Sequence, residues 1–183
     1  SKLMRIQGGF SIIYDKYREE RYLGKLIHVL DDIARQRDFY MVDHHYNVAH
    51  WASIIADELD FSEEKKHELY IAAIFHDIGK LYINESILNK NGKLSDEEYN
   101  AIKKHSEYGY TIANALLRNN IAEIVRYHHE RYDGKGYPEG LEGESIPLES
   151  RILAVSDAVD SMLSYRSYKE HMKINAVIKE ITK

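Results

Sequence analysis

Apolar residues recur every three to four positions along most of this chain, and no segment alternates convincingly as a half-buried strand would. From Asp15 to about Arg37, Leu23, Leu26, Ile27, Leu30, Ile33 and Ala34 make one stripe on an otherwise charged stretch. That pattern predicts an amphipathic helix of about six turns. A second helix is predicted over Val42–Leu59, carrying Tyr46, His50, Ile54 and Asp57. Ser62 reads as the N-cap of a third, with Glu63 and Glu64 at its positive end. This helix carries Leu69, Ala72, Ala73 and Phe75 into His76-Asp77, and Gly79 marks its end. Residues 81–94 read as a long loop turned at Asn91-Gly92. Ser95 to Glu98 is a capping box, opening a helix that contains His105, meets Gly109 and continues to about Leu117. Ile121–Glu130 is predicted as a short helix ending in His128-His129, followed by a loop over 131–140 on glycine and proline content. Pro147 precedes a helix through Ile152, Val155, Asp157, Ala158 and Met162, and the last helix runs from Lys169 to Lys183. The expected fold is all-α.

At 183 residues and 44% hydrophobic, the chain suits one globular domain with a sizeable core and an appended helix. We divide it into 1–40, a linker or signalling helix, and 41–183, the main bundle. No apolar run approaches the roughly 18 residues needed to cross a bilayer. With no cysteine there is no disulfide, thiolate metal site or cysteine nucleophile, which fits a cytoplasmic protein. The start at Ser1-Lys2-Leu3-Met4 reads as a trimmed end. A net charge of −5 argues against general nucleic-acid affinity, so a phosphate-bearing substrate would need local cations.

Ten histidines are many for this length. His76-Asp77 places an imidazole beside a carboxylate, and His50, His105, His128, His129 and Asp157 lie on other predicted helices that can converge on a core. A histidine–aspartate set without sulfur suits manganese, iron or zinc better than calcium or magnesium. Carboxylates bridge ion pairs, and water held between two ions is a strong nucleophile at neutral pH. Lys80, one turn past His76, can reach a phosphate oxygen, although a lone lysine at a helix end is more often solvated. We expect His28, His44, His45, His67 and His171 to be ordinary surface or core histidines, with His44 and His45 near enough to line the site. The 131–140 loop is fixed at one end by His128-His129, so Tyr137 can stack on a base or dock a partner.

The ordered blocks resemble the HD-GYP family of HD-domain phosphohydrolases over residues 43–181. They are His76-Asp77-Ile78-Gly79-Lys80, Ile87 to Leu94, His105, His128 to Pro138, Arg151 to Asp157, and Arg166-Ser167-Tyr168-Lys169. The resemblance implies an HD-domain helical bundle with a metal centre in its core, and a bacterial phosphodiesterase that hydrolyses cyclic di-GMP to pGpG and/or GMP. It implies metal ligands at His50, His76, Asp77, His105, His128, His129 and Asp157, with Asp77 bridging and a hydroxide between the ions attacking phosphorus. Lys80 matches the lysine that supports the scissile phosphate, and Arg166 and Lys169 match substrate contacts. Gly136-Tyr137-Pro138 matches a loop implicated in docking diguanylate cyclase domains. Some members hold a third ion through a glutamate four residues before the first histidine. Counted from His50 that position is Tyr46, so two ions, iron or manganese, are expected. The arginine common three residues after that histidine is Ser53 here. The chain also stops short of a helix found in many relatives, so it reads as an excised catalytic domain lacking a sensor that would precede it. The first helix then becomes a candidate dimer or signalling element. Alternatives are a hydrolase of another cyclic dinucleotide or nucleotide, such as 3′,3′-cyclic GMP-AMP, and a module that binds nucleotide or cyclase without turnover.

Overall fold

The computed structural model describes residues 21–30, 32–33, 39–164 and 172–181. The chain divides into two compact units, Ser1–Val42 and Asp43–Lys183. In the first, residues 21–30 are helical. Leu23, Leu26, Ile27 and Leu30 are its half-buried positions and the intervening ones are exposed, as the apolar stripe predicts.

The second unit is built around α1 (Phe39–Glu58) from Asp43 onward, α2 (Glu63–Phe75), α3 (Glu85–Leu88), α4 (Asp96–Lys103), α5 (His105–Leu116), α6 (Asn119–Arg126), α7 (Leu148–Leu163) and α8 (Ile174–Ile181). Among the described residues it contains no strand, only an isolated bridge between Asp133 and Glu142. On α1 the buried positions His44, Val48, Ala52 and Ala56 recur every four residues, with Ala49 beside them. The small alanines leave room for close neighbours. Ser62 caps α2 by accepting the Lys65 N–H, and Leu69 and Ile71 through Phe75 are buried at its far end. Those residues pack on α6, whose Ile121, Ala122, Ile124 and Val125 are buried. Burying each such aliphatic side chain contributes roughly 1.5–3 kcal/mol. The Ser150 hydroxyl on α7 donates to the Ile124 carbonyl at 3.3 Å, tying α7 to α6.

Several local predictions are refined. Gly79 does not end a helix. It lies in a 3-10 turn, Ile78–Tyr82, pressed on α5, where a Cβ would come 1.9 Å from the His105 carbonyl oxygen and 2.5 Å from the Gly109 nitrogen. Gly109 lies within α5 and permits a second close approach, to α6, where a Cβ would come 3.0 Å from Val125 Cγ1. The expected loop 81–94 contains α3, opened by Asn84, whose side chain accepts the Ser86 N–H at 2.9 Å. The capping box at Ser95 and Glu98 is present, but its helix ends at Lys103 and α5 begins anew at His105. The predicted last helix is described over Ile174–Ile181. Arg166, Lys169 and His171 lie outside the described residues.

Candidate metal centre

The site gathers where helices stop. His76 and Asp77 form the turn between α2 and the 3-10 helix, His105 opens α5, and His128 and His129 follow the end of α6. All five were expected within helices; His105 lies in one, whereas His76, Asp77, His128 and His129 lie in turns.

Three rings are fixed in the same way. The Nδ1 atoms of His76, His105 and His128 lie 2.7, 2.7 and 2.6 Å from the carbonyl oxygens of Ala73, Ile102 and Val125, each three residues earlier. Nδ1–H donates to that carbonyl, so the Nε2 lone pair is left for the pocket. Nε2 of His105 and His128 are 3.4 Å apart, and Nε2 of His76 has no hydrogen-bond partner.

Asp77 occupies the middle. Its Oδ2 accepts from Lys80 Nζ at 2.5 Å and lies 3.5 Å from His76 Nε2, while Oδ1 lies 3.5 Å from His105 Nε2. Asp77, His105, His128 and His129 form one group whose ligand atoms all lie within 4.8 Å of one another, and His44, His76 and Asp77 form a second. Asp77 is common to both. Burial pushes its carboxyl up, but Lys80 and the surrounding rings outweigh that and hold it well below the usual range. Burial also keeps His76, His105 and His128 from charging and lowers His129 to about 3.

The structure corrects one sequence assignment. His50 is exposed, its ring beside Trp51, and belongs to neither group. Its expected place is taken by His44, which was expected to be an ordinary histidine. His44 is buried, with Nε2 3.3 Å from Asp157 Oδ1 and Nδ1 2.6 Å from Asp160 Oδ2. Burial alone would lower its pKa, but the bonds to Asp157 and Asp160 raise it to about 9. Asp160 was not singled out from the sequence. It is buried, and its other oxygen accepts from Ser164 at 3.0 Å. Burial pushes the Asp157 carboxyl up, and the His44 bond brings it well down. His45 is buried as well, with its ring 5.3 Å from that of His76. Tyr46 sits on the outer face with His50, so it does not stand in for a ligand near the centre. Ser53 donates to the Ala49 carbonyl within its own helix at 2.8 Å.

The 131–140 loop is firmly anchored. The buried Glu130 carboxylate accepts the N–H groups of Glu139, Gly140 and Leu141 at 2.7, 3.1 and 3.0 Å. Gly136 lies against the main chain of the ligand segment, where a Cβ would come 2.3 Å from Arg131 N and 2.5 Å from Glu130 Cα. Tyr137, half-buried before a cis Pro138, lies over His129 with ring centroids 4.8 Å apart.

The donors fit a divalent metal centre. They are nitrogen-rich and sulfur-free, their tautomers face inward, and two buried atoms, His76 Nε2 and Asp77 Oδ1, have no hydrogen bond. Buried polar atoms are rarely left so without a missing ion or water to explain them.

The family model described as HD domain matches residues 28–183. The chain is 45% identical over 134 residues to the cyclic di-GMP phosphodiesterase response regulator RpfG of Xanthomonas campestris, covering 72% of this chain and 35% of that protein. It is 37% identical over 165 residues to a cyclic di-GMP phosphodiesterase of Thermotoga maritima, covering 88% and 45%. The chain thus spans less than half the length of these curated relatives. The HD domain of the phosphodiesterase PgpH of L. monocytogenes, solved in complex with cyclic-di-AMP, shares the fold. Its TM-score is 0.61 at 23% identity, covering 85% of this chain and 81% of that one.

Proposed function

We propose a function from one premise: the chain belongs to the HD domain family, and its His76-Asp77 and Gly136-Tyr137-Pro138 motifs place it with the HD-GYP proteins. It is a metal-dependent phosphodiesterase that hydrolyses cyclic di-GMP to pGpG, GMP or both. The observation that carries this reading is the Asp77 carboxylate, shared by two groups of inward-facing histidines. His44, His76 and Asp77 would hold one ion, and Asp77, His105, His128 and His129 a second, with Asp157 beside His44. Iron or manganese suits that donor set. Bound there, two such ions supply positive charge for phosphate oxygens and acidify water into a nucleophile near neutral pH.

The chain's own groups do the rest. His76, His105, His128 and His129 stay neutral, so their lone pairs remain available, and Asp77 and Asp157 stay ionised, whereas His44, raised to about 9, gives up a proton to become a ligand. Lys80, held against Asp77 with part of its side chain exposed, brings an ammonium to a non-bridging oxygen of the diester. In a chain of net charge −5 that cation matters for an anionic substrate. By resemblance, Arg166 and Lys169 hold the remainder of the nucleotide, and the rim of the Gly136–Pro138 loop docks a diguanylate cyclase domain. The same reading includes a cytoplasmic setting, a preceding sensor and dimerisation through the first helix. No described helix is long and apolar enough to cross a membrane.

The test is hydrolysis of cyclic di-GMP by protein loaded with Mn²⁺ or Fe²⁺ without oxygen, with products followed by chromatography. We expect pGpG or GMP, lost on chelation, and loss of both metal and turnover in Asp77→Ala. Turnover of 3′,3′-cyclic GMP-AMP alone would move the substrate. No turnover of either by metal-loaded protein would leave a binding module in place of an enzyme.

A further inference from the structure

His129 is held differently from its neighbours. His76, His105 and His128 each donate Nδ1–H to a main-chain carbonyl, and His44 is gripped by Asp160. Among the described residues neither ring nitrogen of His129 makes a hydrogen bond. Other rings bound it instead: His128 at 4.0 Å, His105 at 4.9 Å and Tyr137 at 4.8 Å, the last tilted by 34°. Of these only Tyr137 is not itself a candidate ligand.

The tyrosine is tied to the histidine twice. Its ring covers the imidazole, and its N–H donates to the His129 carbonyl at 3.2 Å. The loop behind it is fixed by the three N–H groups on Glu130 and by the contact that only glycine permits at Gly136. Tyr137 also stands edge-on to His105 at 6.3 Å, so it closes this side of the second metal group. A ring in this place limits rotation of His129 about its side-chain bonds, which is the task that a hydrogen bond performs for the other histidines.

We propose that Tyr137 is a positioning residue for His129, whose aromatic ring, rather than its hydroxyl, holds the imidazole toward the metal group. This rests on the reading of the cluster as a metal centre. It gives the tyrosine a task inside the site, separate from any docking at the loop's rim.

The experiment titrates Mn²⁺ into the purified 183-residue chain by electron paramagnetic resonance, with chelator competition to resolve the two ions. Y137F should bind both ions within about twofold of wild type. Y137L should bind one of them about tenfold more weakly, the size usual when the partner that orients a metal-bound histidine is lost. On an H129A background, Y137L should weaken that ion no further, because the residue it acts through is gone. Y137M, closer in shape to the ring's length, repeats the comparison if Y137L does not fold. Wild-type affinity in Y137L and Y137M would overturn the proposal. So would a loss in Y137F equal to that in Y137L, which would assign the role to the hydroxyl. Additive losses in the double variant would overturn it too, by showing that Tyr137 acts elsewhere. A wild-type chain that takes up no ion would instead sink the metal-centre reading, before any variant is compared.

Discussion

His44 and His50 stand six residues apart on one helix, and about 100° per residue puts them well round the cylinder from each other. His44 shares its face with Val48, Ala52 and Ala56, all buried, whereas His50 shares the exposed face with Asp43, Asn47, Ile54 and Asp57. His44→Ala should therefore cost the protein bound metal and activity. His50→Ala should keep both and change stability by no more than about 0.5 kcal/mol. Elemental analysis of the two purified variants decides the matter, and metal loss in His50→Ala alone would reverse the assignment. Asp160→Asn should weaken metal binding by roughly 10- to 100-fold, because His44 loses the carboxylate that orients it. The contrast between the two histidines is written in the residue pattern. Four-residue steps from His44 meet Val48, Ala52 and Ala56, an apolar row of mostly small side chains, whereas the same steps from His50 meet Ile54 and then Glu58. The cluster of His76, Asp77, His105, His128 and His129 was legible from motif order, because chemistry dictates those residue types. The Asp160 contact was not, since it joins residues 116 apart in sequence.

At the level of elements, the centre depends on three chain ends meeting closely, and two glycines make that approach possible. In Gly79→Ala the new methyl would collide with the main chain of α5 at His105, itself a candidate ligand. Backbone offers no rotamer to yield, so we expect a loss of at least about 3 kcal/mol in urea unfolding, with weaker metal binding. Gly92→Ala is the control: nothing lies within 4 Å of its missing Cβ. Its φ of 118° adds only the local strain of a left-handed residue. Equal effects in the two would refute the packing account. The long helices were readable because each has a cap and a periodic apolar face, as Ser62 and Leu69 to Phe75 show for α2. The 3-10 turn at Ile78–Tyr82 and the break at Lys104 were not. Both are set by contact between segments distant in sequence, and five residues carry too little period to register.

For the molecule as a whole, the metal-free protein carries a charge problem that pH exposes. His45 and His129 are lowered to about 3 from an ordinary value of 6.5, and burial lowers His76, His105 and His128 as well. Below pH 6.5 the unfolded rings take up protons that the folded ones refuse, so stability falls toward acid, by up to about 1.4 kcal/mol per pH unit for each ring. Asp77 and Asp157, held low in the fold, reinforce that loss as they are forced to protonate. His44 acts in the opposite sense. Its pKa is raised to about 9, so its contribution is complete below 6.5 and disappears as pH rises through 9. Chelated protein should accordingly melt highest near pH 6.5, and its alkaline decline should flatten in His44→Ala. A melting temperature that climbs steadily from pH 6.5 to 9 would contradict the assignment. Metal uptake provides the complementary measurement. At pH 8 the metal-free His44 still holds its extra proton between Asp157 and Asp160, and a metal ligand must give it up. Calorimetric Mn²⁺ titrations in buffers of different ionisation enthalpy should therefore report about one proton released at pH 8. That release should vanish in His44→Ala, and its absence from the wild-type chain would remove His44 from the centre.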